Sequence, residues 1–181
     1  GFKPLLQVVQ SNDSNTAMAR RREMHILEEL RSRRGIRSRT LQVAHSFAHV
    51  GQRCRMAAPH FFDLDDNDYM RLTDGDMFVN NRTTFAAFAG LEAAHAFNGG
   101  CCGREQYPMH SMGMYVRSWR AIIGPEQCAA PAQKAWQVHG INRAWYSDQI
   151  YLRKVVDACV KNASCPLKRV VLQPGPTSRA H

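Results

Sequence analysis

The chain has 181 residues, enough for one domain with a sizeable core. Its 44% hydrophobic and 22% charged residues match ordinary globular usage and exclude a disordered or fibrous protein. No apolar run approaches the length of a membrane-spanning helix. The formal charge of +9 has two readings, an anionic partner or a solvated helix face, and its excess gathers in Arg20, Arg21, Arg22, Arg31, Arg33, Arg34, Arg37 and Arg39. Aromatic residues do not interleave with these arginines, so the stacking platform of a single-strand nucleic-acid binder is missing.

In chain order, the opening GFKPLLQVVQ lacks the basic region and cleavage site of a signal peptide and reads as the entry into a strand of a longer precursor. Leu5–Val9 is an apolar run of the buried-strand type, and Asn12–Asn15 is a turn. Thr16–Arg34 reads as a helix with Met24, Leu27 and Leu30 on its inner side and Gly35 as its stop. Thr40–Ala44 is a short strand. Phe47, Val50, Cys54, Ala57 and Phe61 then recur at helical spacing behind Ser46, as far as Pro59. Asp65-Asp66-Asn67 makes a turn into the strand Tyr69–Thr73.

Asn80–Asn98 is ambiguous, with Phe85, Phe88 and Leu91 compatible with a short helix. Gly99-Gly100 interrupts the chain, and Cys101-Cys102-Gly103 opens a loop or an edge strand. Val116–Ile123 reads as a helix closed by Gly124-Pro125, with a second helix over Glu126–Val138. Ser147 caps a further helix to Val160, with Ile150, Val155, Ala158 and Cys159 turned inward, and Arg169–Leu172 is a last strand. The early alternation of strand and helix predicts an α/β sheet with mostly parallel strands, including Leu5–Val9 and Tyr69–Thr73.

The strand Tyr69–Thr73 runs directly into Asp74-Gly75-Asp76. Two carboxylates one residue apart can share a divalent cation, and the glycine lets the backbone turn tightly. Open α/β sheets bind ligands at the carboxyl ends of their strands. The plainer reading is a common Asp-Gly turn. The rival pair Asp63 and Asp65 precedes its apolar run, and 63–74 imitates a calcium loop without the required glycine and glutamate. The six cysteines form no Cys-x-x-Cys pair, which argues against structural zinc. Cys159 and Cys165 are close enough to pair. With three sequons at Asn12, Asn81 and Asn162, they lean towards an oxidising lumen.

Five segments in this order resemble the nucleotide-sugar glycosyltransferases of the GT-A fold: GFKPLLQVV, GQRCRMAAPHFF, DDNDYMRLTDGDMF, CCGREQYPMHSMGMYVRSWRAII and AWYSDQIYL. More narrowly, they resemble a poorly characterised eukaryotic group of glycosyltransferase-like proteins. The resemblance spreads over most of the chain. It implies one Rossmann-like domain over residues 1–181, a mostly parallel sheet flanked by helices, in which the family's first strand lies before Gly1 or is absent.

The resemblance further implies a Golgi-lumenal, Mn²⁺- or Mg²⁺-dependent transfer of sugar from a nucleotide diphosphate donor to a glycan, protein or lipid acceptor. On it, Asp74, Gly75 and Asp76 hold the metal and the donor, with His181 as a late metal ligand. Asp148 is the general base towards the acceptor hydroxyl or a group that holds the sugar, with Gln149 beside it. Met112-Gly113-Met114 and Trp119 shape the sugar pocket. Asp148 is then expected to be partly exposed at a helix N-terminus that faces the acidic pair. Each residue also has a structural reading: Asp148 as a favourable charge at a helix start, Trp119 and Trp145 as core, and Cys101 and Cys102 as separate thiols or half-cystines. The alternative function is a non-catalytic structural or assembly subunit of the same fold. A dedicated nucleic-acid binder has only the charge behind it.

Overall fold

A computed structural model of the chain describes residues 5–11, 17–34, 36–43, 47–73, 92–98, 106–108, 112–128 and 146–174. Strand β1 (Leu5–Ser11) leads through helix α1 (Ala17–Arg34) to strand β2 (Arg37–Val43), and the two strands pair in parallel, Leu5 opposite Arg37 and Ser11 opposite Val43. A parallel pair needs a long crossover, which α1 supplies. Helix α2 (Phe47–Met56) packs against β1 and ends in a 3-10 turn, Ala58–His60, with Pro59 inside it. The three elements expected in 16–59 are present, with β2 starting earlier than the sequence suggested.

The second sheet has four strands: β3 (Tyr69–Arg71), β4 (Ala93–Asn98), β5 (Gly113–Tyr115) and β6 (Arg169–Pro174), ordered β3-β5-β4-β6. β5 is antiparallel to both of its neighbours, and β4 is parallel to β6. Strands β3, β4 and β6 therefore share one direction, and β5 alone is reversed. Helix α3 (Val116–Ile122) follows β5 directly, and helix α4 (Ser147–Lys161) precedes β6. The architecture is α/β, with a small mixed sheet flanked by helices.

Two expectations are corrected here. Among the described residues, Leu5–Val9 and Tyr69–Thr73 belong to separate sheets, because β3 takes its ladder from β5 and receives none from β1 or β2. The ambiguous segment before Asn98 ends in a strand: Ala93, Ala94, His95 and Ala96 favour a helix by propensity, but all four are buried between β5 and β6.

One core unites this sheet with the helices. It contains Met70, Met112, Met114, Trp119, Ile123, Leu152, Val156 and Leu167, all buried, with Leu5 of β1 packed against its edge. In α4 the inward face carries Asp148, Tyr151, Leu152 and Val156, while Ala158 is exposed. Of the expected inner residues, Ile150, Val155 and Cys159 pack against the core at its edge, and Ala158 does not. At the end of α4, a disulfide joins Cys159 to Cys165, with Cα atoms 5.5 Å apart. Closing so short a loop contributes about 2 kcal/mol on the chain-entropy view. Pro125–Cys128 forms a 3-10 turn in place of the first turn of the second helix expected over Glu126–Val138. This turn packs on α2, and the thiols of Cys54 and Cys128 hydrogen-bond there.

Candidate functional site

The approach to the acidic motif is built by side chains closing on their own backbone. Asp65 Oδ1 accepts the Asn67 N–H at 2.7 Å, and Asp68 Oδ2 accepts the Asp65 N–H at 3.0 Å. This is a carboxylate-braced turn, so Asp65 and Asp68 of the rival acidic stretch serve the chain reversal. Helix α3 then clamps the turn. The Val116 and Arg117 N–H groups donate to the carbonyls of Asp68 and Asp66 at 2.9 and 3.1 Å. Arg120 pairs with Asp66 at 2.7 Å and donates to the Pro59 and Leu64 carbonyls at 3.0 and 3.2 Å.

Trp119 Nε1 donates to the Met70 carbonyl at 3.1 Å, and the Leu72 N–H reaches the Met112 carbonyl at 2.8 Å. β3 is thus fixed on both sides up to its carboxyl end, after which the sequence continues Thr73-Asp74-Gly75-Asp76. Those three motif residues, together with His181, Trp145, Cys101 and Cys102, lie outside the described residues. Among the described residues, no three of His, Cys, Asp and Glu gather as a metal site.

The segment expected to shape a sugar pocket is structural. Met112 and Met114 have no exposed surface, and neither has Trp119. Met112 precedes strand β5, Met114 lies in it and Trp119 lies in α3, and all three side chains pack in the core. Gly113 is required by packing: a Cβ there would stand 2.7 Å from Tyr69 Oη and 2.9 Å from a ring carbon of the same residue. The sequence could not reveal this, because the contact comes from a partner strand far along the chain.

Asp148 is also corrected. It lies in the first turn of α4 but is 0% exposed, where partial exposure was expected. Ser147 is the first helical residue and not the cap, which falls on Tyr146. Asp148 Oδ2 pairs with Arg55 of α2, and Oδ1 accepts the Gln149 N–H at 2.8 Å. Burial pushes the carboxyl above the ordinary carboxylate range, with Arg55 and the helix N–H groups opposing it. A carboxylate so enclosed joins α2 to α4; in this arrangement it does not face an acceptor. Gln149 is half-buried beside it, and its carbonyl accepts the Tyr107 N–H at 3.4 Å. The Tyr107 hydroxyl bonds Asp157 on the same helix, and burial and that carboxylate together push the phenol up.

Sequence reading missed a polar row across the sheet. Arg71 of β3 is in register with Gly113 of β5, which is in register with His95 of β4. Tyr69 stands on the same face, its ring 6.5 Å from that of His95 and edge-on to Tyr115 at 5.8 Å. The Arg71 guanidinium lies close enough to the Tyr69 hydroxyl for the two to interact electrostatically. Burial, then Arg71 and Arg169, hold the His95 imidazole below its usual range, favouring its neutral form. The only sequence signal was a single histidine within an alanine run.

No helix among the described residues is long and apolar enough to cross a membrane. Comparison of the chain with models of protein families, with curated proteins and with solved structures finds no match in any of the three.

Proposed function

We propose that the chain is a metal-dependent glycosyltransferase of the GT-A type, moving a sugar from a nucleotide diphosphate donor to an acceptor. The observation that carries the proposal is the end of β3. Three strands share one direction, β3 is clamped by α3, and in sequence its carboxyl end is followed, after Leu72 and Thr73, by Asp74-Gly75-Asp76. Ligands of open α/β sheets gather at that end. On this reading Asp74 and Asp76, with His181, hold Mn²⁺ or Mg²⁺ on the donor diphosphate, and the metal stabilises the departing diphosphate. Arg71, the last residue of β3, adds positive charge at the same end. On the same reading Asp148 is a positioning residue that locks α2 to α4 through Arg55, and Gln149 follows it in the helix. The Cys159–Cys165 disulfide fits synthesis in the Golgi lumen, where such bonds persist.

A second reading, a non-catalytic subunit of the same fold, draws on the burial of Asp148, Trp119, Met112 and Met114, which leaves the resemblance fewer exposed matching residues. Turnover separates the two. The purified chain, incubated with Mn²⁺ and a panel of nucleotide sugars, is expected to release nucleoside diphosphate, and Asp74→Asn with Asp76→Asn is expected to abolish the release. Wild-type release no greater than that of the double variant, for every donor, establishes the subunit reading instead.

A further inference from the structure

Three arginines of the basic segment surround one open cleft of about 450 Å³, formed by Arg31 of α1, the start of β2 and the loop after the Ala58–His60 turn. Each guanidinium is held by neutral acceptors. Arg31 Nε donates to Ser38 Oγ at 2.6 Å, Arg37 Nη1 to the Asp63 carbonyl at 2.9 Å and Arg39 Nη1 to the Phe61 carbonyl at 2.9 Å. Among the described residues, no ion pair neutralises any of the three. The one acidic side chain on the cleft wall is Asp63, leaving positive charge in excess. The floor is apolar, made by Ile36, Phe61 and Phe62, with Arg39 stacked over the Phe61 ring at 4.7 Å.

A merely solvated charged face has no need to immobilise its side chains, which costs rotamer entropy. Here the forks are held in place while their charge stays available. A planar guanidinium offers several N–H donors in a geometry that matches tetrahedral oxyanions. The cleft is shallow and open to solvent, so a ligand would be held at its surface by the guanidinium groups. The cleft lies at the amino ends of β1 and β2, where Leu5 pairs with Arg37.

We propose that this cleft binds a phosphate or sulfate monoester of a sugar-sized organic body. The ester oxygens lie among Arg31, Arg37 and Arg39, and the body rests on Ile36 and Phe61. The proposal does not rest on the transferase reading.

Calorimetric titration of the full chain in EDTA, which silences any metal site, tests it with inorganic phosphate, a hexose 6-phosphate and a hexose 6-sulfate. One saturable site per chain is expected, with an ester tighter than inorganic phosphate; whichever ester is tighter names the source. Arg37→Gln/Arg39→Gln is expected to weaken binding about tenfold or more. Arg117→Gln/Arg153→Gln, which removes equal charge elsewhere, is expected to change it less than about twofold. If the glutamine variant does not fold, Arg37→Lys/Arg39→Lys keeps the charge, loses the fork and is expected still to weaken binding about threefold. The proposal is overturned by no saturable ester binding, by equal losses in the two glutamine pairs, or by binding only to an oligonucleotide with affinity that grows with its length.

Discussion

The two sheets differ in how they are held. In the four-stranded sheet, each strand lies against buried side chains, and Trp119, Met112, Met114 and Leu152 have no exposed surface. On the two-stranded unit, α1 buries only Leu27 among residues 24–32, while Met24 and Ile26 are 51% and 55% exposed. Met24 was expected on the inner side with Leu27, and it is not there. Stability concentrates where apolar area is removed from water. Among the described side chains, the four-stranded sheet is therefore the more fully buried frame, and residues 24–32 of α1 form a more exposed surface. A site needing fixed geometry belongs at the end of β3, and one reading charge belongs on β2.

The largest test of this contrast is Trp119→Ala, expected to cost about 3–5 kcal/mol in urea unfolding, through a core cavity and the lost bond to the Met70 carbonyl. Next is Arg55→Ala, which leaves Asp148 charged and buried; breaking such a pair costs about 3 kcal/mol or more at neutral pH. Because the folded pKa of Asp148 is raised, its favourable contribution is full below the unfolded value and is lost as pH rises through the folded value. Removing Arg55 raises that pKa further. The gap between wild type and variant is therefore expected to narrow as pH falls, and unfolding measured across the acid range checks it.

Gly113→Ala is expected to cost about 2 kcal/mol by forcing the Tyr69 ring aside. The loss should be smaller when made in a Tyr69→Leu background, where the ring is gone. The smallest effect belongs to α1: Ile26→Ser is expected to change stability by no more than about 0.5 kcal/mol, as for other exposed positions. A cost there like that of Trp119→Ala would erase the distinction between frame and surface.

Much of the helical structure was legible in the sequence, because helical periodicity and turn chemistry are local. The helices over 17–34, 47–56, 116–122 and 147–161 and the turn at 65–68 follow from spacing, glycine stops and braced aspartates. What was not legible depended on contacts between distant segments. β4 is an alanine run made into a strand by its neighbours, and β5 is the three residues Gly113–Tyr115, which read as loop until β3 and β4 flank them. Asp148 looked like an exposed helix-start charge because its partner, Arg55, lies on another helix. The basic cluster showed in composition, but its cleft did not, since the loop carbonyls that orient Arg37 and Arg39 are more than twenty residues away.

The central claim is that the chain leaving β3 holds a divalent metal and a nucleotide diphosphate at Asp74 and Asp76. Thermal unfolding with Mn²⁺ and a nucleoside diphosphate, each alone and both together, tests it most directly. Ligand at 100 times its dissociation constant stabilises the native state by about 2.7 kcal/mol, which raises Tm by roughly 5 °C or more in a domain of this size. The account predicts that rise only when metal and nucleotide are both present, and its loss in Asp74→Asn/Asp76→Asn. An unchanged Tm with both ligands saturating, or an equal rise in the double variant, would contradict it.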